Sequence, residues 1–213
     1  MKSLGTCLES LLDDDDIFYN SENDKKAIEG WIESNYDFRG KLTISDDLVV
    51  NCSRHVIVKN KSITNLTNGI FRWGMVSGNF DCSDCKNLTT LEGSPKEVNR
   101  NFYCDNCNNL TSLKGAPENV GGSFDCGKCI NLTSLDGAPK SVGGGFYCSG
   151  CENLNTLKGG PETVGGNFSC CNCENLKTLE GAPKKVGLEF FCVNCKNLKI
   201  TASDRKKYNI GKN

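Results

Sequence analysis

Cysteine is the residue type in this chain with the most chemical potential. Fifteen are present in 213 residues, and twelve of them form C-x-x-C pairs: Cys82/Cys85, Cys104/Cys107, Cys126/Cys129, Cys148/Cys151, Cys170/Cys173 and Cys192/Cys195. Two such pairs that converge can bind zinc or iron through four thiolates. A single pair with one exposed, low-pKa thiol can exchange disulfides. A third possibility needs no chemistry, because free cysteine commonly serves as a small buried apolar residue. The pairs recur every 22 residues without a slip, and nothing singles out one pair as a redox centre. Phe, Leu, Val and Pro repeat alongside them, which burial explains and ligation does not. Burial is therefore the expected state of the thiols, with thiol-rich metal binding or inter-coil disulfides as alternatives.

Other reactive groups are scarce. His55 is the only histidine, which removes most zinc-hydrolase and acid–base chemistry. No Ser/His/Asp set, carboxylate pair or phosphate-binding loop stands out, so a non-enzymatic chain is expected, with no cofactor and no metal. Net charge is -1, with 25 Lys and Arg against 26 Asp and Glu. A broadly basic nucleic-acid binder is excluded by that balance, because backbone recognition needs clustered cations. No apolar run approaches the ~18 residues that span a bilayer. Residues Met1 to Asp16 carry helically spaced leucines (Leu4, Leu8, Leu11, Leu12) and then the run Asp13–Asp16, not a secretory pattern. The expectation is a chain in the cytoplasm, with reduced thiols and no membrane or nucleic-acid partner. The N-x-[ST] matches at Asn87, Asn109 and Asn131 are then accidents of a repeated Asn-Leu-Thr phrase.

That phrase belongs to a larger period. Phe80, Phe102, Phe124, Phe146, Phe168 and Phe190 stand two residues before each first cysteine, and Asn-Leu begins two residues after each second one. All five prolines share one column (Pro95, Pro117, Pro139, Pro161, Pro183), with Val98, Val120, Val142, Val164 and Val186 three residues on. The unit reads F-x-C-x-x-C-x-N-L-x-x-L-x-G-x-P-x-x-V-G-G-x. At 22 residues it cannot bury its own apolar face, so neighbouring units must stack. F-x-C reads as a short strand with Phe and Cys inward, and the Gly-Gly and Gly-x-Pro segments read as turns. Phe102, Cys104, Cys107, Asn109, Phe124, Cys126, Cys129 and Asn131 are assigned to the structural core, with the asparagines as an internal amide ladder. In-register stacking also fits two columns that alternate in charge: Glu92, Lys114, Asp136, Lys158, Glu180 and Lys96, Glu118, Lys140, Glu162, Lys184.

The repeat fades at both ends. Residues 1–35 divide into the acidic segment and a capping helix from Asn23 to Asn35, with Ile28, Trp31 and Ile32 on one face and Trp31 as the main plug. Residues 36–79 hold divergent first coils, one aligning Val58 with Phe80 and placing Ile63, Leu66 and Val76 inside. Residues 80–201 carry six repeats, and 202–213 form a polar, basic tail. The fold class is a mainly β repeat protein, a solenoid with an N-terminal helical cap.

The unit resembles the leucine-rich repeats, and more narrowly the short repeats encoded by tailed bacteriophages and other large DNA viruses. Asn131-Leu-Thr-Ser-Leu-Asp-Gly-Ala-Pro139 and Val120-Gly-Gly-Ser-Phe-Asp-Cys126 carry the likeness, which covers roughly residues 36 to 200. Those viral repeats often hold Asn where every second cysteine stands here, which leaves the corner chemistry open. The resemblance implies a curved solenoid that binds protein and has no catalytic residues to transfer. In such a fold the outward strand column is the candidate binding face: Asp81, Tyr103, Asp125, Tyr147, Ser169 and Phe191. The column two residues earlier adds Asn79, Asn101, Ser123, Gly145, Asn167 and Glu189. The implied partner is a protein, either a host factor or a viral assembly component; a place in the virion itself is the further alternative.

Overall fold

The computed structural model describes residues 21–210. The acidic run Asp13–Asp16, the leucines before it and Cys7 lie outside the described residues. Helix α1 (Ser21–Asn35) leads into β1 (Tyr36–Arg39), β2 (Leu42–Ile44), β3 (Val49–Cys52), β4 (His55–Val58) and β5 (Arg72–Val76). Eleven two-residue strands follow in strict alternation: β6 (Phe80–Asp81), β7 (Glu97–Val98), β8 (Phe102–Tyr103), β9 (Asn119–Val120), β10 (Phe124–Asp125), β11 (Ser141–Val142), β12 (Phe146–Tyr147), β13 (Thr163–Val164), β14 (Phe168–Ser169), β15 (Lys185–Val186) and β16 (Phe190–Phe191). Helix α2 (Ala202–Tyr208) ends the described chain.

The strands sort into two sheets, each of eight. The Phe sheet runs β1-β4-β6-β8-β10-β12-β14-β16, and the Val sheet runs β15-β13-β11-β9-β7-β5-β3-β2. Within the repeats every pairing is parallel and in register, so Phe124 pairs with Phe102 and Phe146, and Val142 with Val120 and Val164. Each coil thus crosses once into each sheet. The chain is a β-solenoid of about six turns with a period near 22 residues. The second sheet is a finding the sequence reading did not make, having assigned turns to Gly-x-Pro and Gly-Gly and no element to the Val column between them. The signal was there in the alternation, since the residue before each valine is mostly exposed while the valine is buried.

Between the sheets lies a dry interior. Phe102, Cys104, Cys107, Leu110 and Leu113 are fully buried, and so are their counterparts in the next two coils. The phenyl rings stack coil on coil, with centroids 5.6 Å apart for Phe80–Phe102, 5.2 Å for Phe102–Phe124 and 5.3 Å for Phe124–Phe146. That spacing follows the ~4.8 Å step between strands. Each Leu after the constant Asn closes a tight turn onto the second cysteine (Leu110 N to Cys107 O, 3.1 Å) and takes the inward place. Asn109 and Asn131 are consequently exposed, as are the other members of their column. The internal amide ladder expected at these positions is absent. Its remnants are exposed contacts, such as Asn175 Nδ2 to Asn153 Oδ1 at 3.4 Å and Asn197 Nδ2 to the Glu174 carbonyl at 2.8 Å.

The ends correct two further expectations. In the divergent coil Val56, not Val58, pairs with Phe80. Leu66 still precedes Leu88 by 22 residues, so two extra residues are taken up between Val58 and Leu66. At the N-terminal end Ile28 and Ile32 of α1 are buried, whereas Trp31 is only half-buried. The plug is a cluster in which Tyr36 meets Trp73 at 5.4 Å and Phe71 meets Trp73 at 5.5 Å, with Trp31 at its edge. At the other end residues 202–208 of the tail form a closing helix. Thr201 and Asp204 form a reciprocal capping box for α2, a T-x-x-D signal legible in the sequence. Helix α2 lays Tyr208 on Phe190 at 4.4 Å, where a seventh phenylalanine would otherwise stack, and the Tyr208 hydroxyl donates to the Pro183 carbonyl at 2.8 Å.

Candidate binding face

On the Phe sheet, backbone alternation turns one residue per coil outward. Register aligns Ile57, Asp81, Tyr103, Asp125, Tyr147, Ser169 and Phe191 in one row. The six positions singled out from the sequence, Asp81 to Phe191, are therefore neighbours, and all six are half-buried. Ile57 extends the row at its N-terminal end, and with Arg39 and His55 at the head of the preceding column it lines a hollow of about 240 Å3 beside Asn79, Asp81 and Tyr103. These three were missed, although Val56 and Val58 alternating around Ile57 is the ordinary sign of an outward residue.

The side chains of the row are held down on the sheet. Tyr103 accepts a hydrogen bond from Asn101 Nδ2 at 2.8 Å, and the Tyr147 ring covers Gly145 so closely that a side chain there would strike its hydroxyl. Asp81 and Asp125 each accept the amide hydrogen two residues on, from Ser83 at 2.9 Å and Gly127 at 2.8 Å. Burial raises the Asp125 carboxyl above its ordinary pKa despite that amide. Ser169 and Ser149 share a hydrogen bond at 2.8 Å. The result is a preorganised strip in which Tyr103 and Tyr147 alternate with Asp81 and Asp125.

The preceding column has a different job. Asn101 N donates to Asn79 Oδ1 (3.2 Å), Ser123 N to Asn101 Oδ1 (2.8 Å), Gly145 N to Ser123 Oγ (3.0 Å) and Glu189 N to Asn167 Oδ1 (3.1 Å). His55 begins this ladder, its Nδ1 accepting from Asn79 N at 2.9 Å. Asn79, Asn101 and Asn167 thus use their acceptors to join coils while remaining half-buried on the same face. Glu189, on the last coil, is exposed.

The thiols occupy the opposite side of the same strands. From Cys107 on, each second cysteine donates its S–H to the carbonyl of the first cysteine one coil earlier: Cys107 to Cys82 (3.1 Å), Cys129 to Cys104, Cys151 to Cys126 and Cys173 to Cys148 (each 3.2 Å), and Cys195 to Cys170 (3.0 Å). A leucine would fill the space but leave that carbonyl without this donor. Burial pushes Cys82 and Cys104 well above the ordinary thiol pKa. Hydrogen bonding to Cys151, Cys173 and Cys195 does so for Cys126, Cys148 and Cys170, with burial next. Cys85 is pushed up to about 12 by burial. Metal ligation requires thiolates, and the first cysteines from Cys82 to Cys170 are held as thiols. Among the described residues no group of three or more His, Cys, Asp or Glu is placed to grip an ion.

Inter-coil charge pairing is present on the outer turns, with Lys158–Glu180 at 2.9 Å, Lys184–Glu162 at 2.7 Å and Lys114–Asp136 at 3.7 Å. No described helix is long and apolar enough to cross a membrane. Compared with protein-family models, curated proteins and solved structures, the chain matches none.

Proposed function

We propose that this chain is a non-enzymatic binding protein that holds a protein partner against the outer face of its Phe sheet. The observation that carries the reading is the strip Tyr103, Asp125, Tyr147, Ser169, Phe191. Aromatic anchors alternate there with Asp125 and Ser169 at strand spacing, and hydrogen bonds hold Tyr103, Asp125 and Ser169 on the sheet before binding. Interfaces favour such aromatic residues, and preorganisation reduces the ordering cost of association. Tyr103 and Tyr147 are the anchors, Asp81 and Asp125 the charges that select for basic side chains on the partner. The resemblance of the repeat phrase to phage and large-virus repeats supports a virus-encoded chain acting in the host cytoplasm, on a host or viral protein.

The test compares partner capture by the wild-type chain and by Tyr103→Ala with Tyr147→Ala, using quantitative mass spectrometry. Unfolding is measured on both proteins. Loss from the double variant of proteins captured by the wild type, with the folded state retained, supports the strip; equal capture dismisses it.

A further inference from the structure

The Gly-Gly pair of the regular coils is replaced at the N-terminal end of the solenoid. One column runs Arg54, Gly78, Arg100, Gly122, Gly144, Gly166, and backbone bonds fix the order in space: Gly78 N to Arg54 O at 2.8 Å and Arg100 N to Gly78 O at 3.2 Å. Two arginines therefore flank a coil that contributes no side chain, about 10 Å apart along the stack. Above Gly78 is a hollow of about 350 Å3 lined by Ser53, Arg54, His55, Ser77, Gly78 and Arg100.

Every side chain lining that hollow can donate a hydrogen bond, and none is acidic. Arg54 and Arg100 are exposed and take part in none of the described ion pairs, in which the cations are lysines. His55 contributes a donor of fixed identity. Because its Nδ1 accepts the Asn79 amide hydrogen, the neutral ring carries its proton on Nε2. Guanidinium groups from two sides, an imidazole N–H and two serine hydroxyls outnumber what a planar carboxylate can accept. They suit a tetrahedral dianion with three or more oxygens.

We propose that the hollow between Arg54 and Arg100 is a phosphate-binding site, with the two guanidinium groups as a clamp over Gly78 and His55 Nε2–H and the Ser53 and Ser77 hydroxyls completing the donor set. It takes a phosphate group, either free or carried as a monoester. The site is independent of the strand-face reading, and different residues test it.

The chain has one histidine, so the imidazole resonances of the 15N-labelled full chain report on this hollow without ambiguity. Titration with inorganic phosphate at constant ionic strength is expected to shift them saturably, and sodium acetate to leave them in place. Arg54→Gln with Arg100→Gln is expected to weaken phosphate binding by about tenfold or more. Lys86→Gln with Lys140→Gln, the same charge change on exposed residues elsewhere, is expected to leave it unchanged. Tighter binding of phosphoserine than of inorganic phosphate assigns the group to a monoester, and the reverse assigns it to the free ion. Acetate acting as phosphate does, a shift that never saturates, or binding that survives the arginine double variant overturns the proposal.

Discussion

At the residue scale, the cysteines serve as small apolar residues that also carry a weak donor. Cys129 is buried, and its S–H reaches the Cys104 carbonyl at 3.2 Å. Cys129→Ala removes that donor and leaves a small void, and should cost about 1–3 kcal/mol in chemical denaturation. Reactivity should follow burial. Cys171, Cys192 and Cys195 are the described thiols that are not fully enclosed. Cys195 is also the described cysteine whose pKa is lowered, to about 7, because the Cys170 thiol hydrogen-bonds to it. Burial pushes its neighbour Cys192 up to about 11. Brief iodoacetamide treatment at pH 7 followed by peptide mapping should therefore find Cys195 modified first among residues 21–210, with the Cys82–Cys151 pairs untouched. Modification of Cys104 or Cys126 at the same rate would contradict the packing. The sequence showed that the cysteines share a column, but the use of each S–H depends on a carbonyl 25 residues away. For the same reason the Asn column was misjudged: a conserved spacing says that a position matters within the repeat, not which side of the turn its amide occupies.

At the element scale, the solenoid is held by strands only two residues long, so close backbone approach between coils matters more than strand length. Gly143 shows this, since a Cβ on it would collide with the Gly121 carbonyl of the preceding coil. Gly143→Ala should destabilise the protein by about 2–4 kcal/mol, read as a lower denaturation midpoint. Gly30, in α1, has open space around its Cα, and Gly30→Ala should be neutral or slightly stabilising. The Phe strands were legible because F-x-C alternates against a repeating background. The Val strands were hidden by flanking Pro and Gly, which favour a turn when read locally, although the ladder in which they sit is built from five coils at once. Helix α2 was not read from the sequence, although Thr201 and Asp204 carry its capping signal; its role was hidden because the stacking of Tyr208 on Phe190 is a contact between the tail and the last repeat.

At the scale of the whole molecule, one consequence of burying so many thiols is a strong dependence of stability on alkaline pH. In the folded chain Cys82, Cys104, Cys126, Cys148 and Cys170 are held protonated well above the ordinary thiol range. Above about pH 8.5–9 the unfolded chain releases those protons and the folded chain does not, so stability is intact below that range and falls as pH rises through it. Each such thiol contributes a slope of about 1.4 kcal/mol per pH unit. Denaturation under reducing conditions at pH 7 and pH 10 should show a loss of several kcal/mol, and a flat profile would argue for thiols open to water. The binding strip and the phosphate hollow both depend on the same architecture, because each is assembled from residues in different coils.

That architecture is most directly tested by a distance. Lys96 and Lys184 are exposed, occupy one column and are four coils apart. With spin labels placed on non-natural residues at these two positions, so that the native thiols are untouched, pulsed electron–electron resonance should give one narrow distribution near 20 Å, about four strand spacings. A broad distribution centred well beyond that value would mean that the coils do not stack in register, and the strip of tyrosines and aspartates would not exist as a surface.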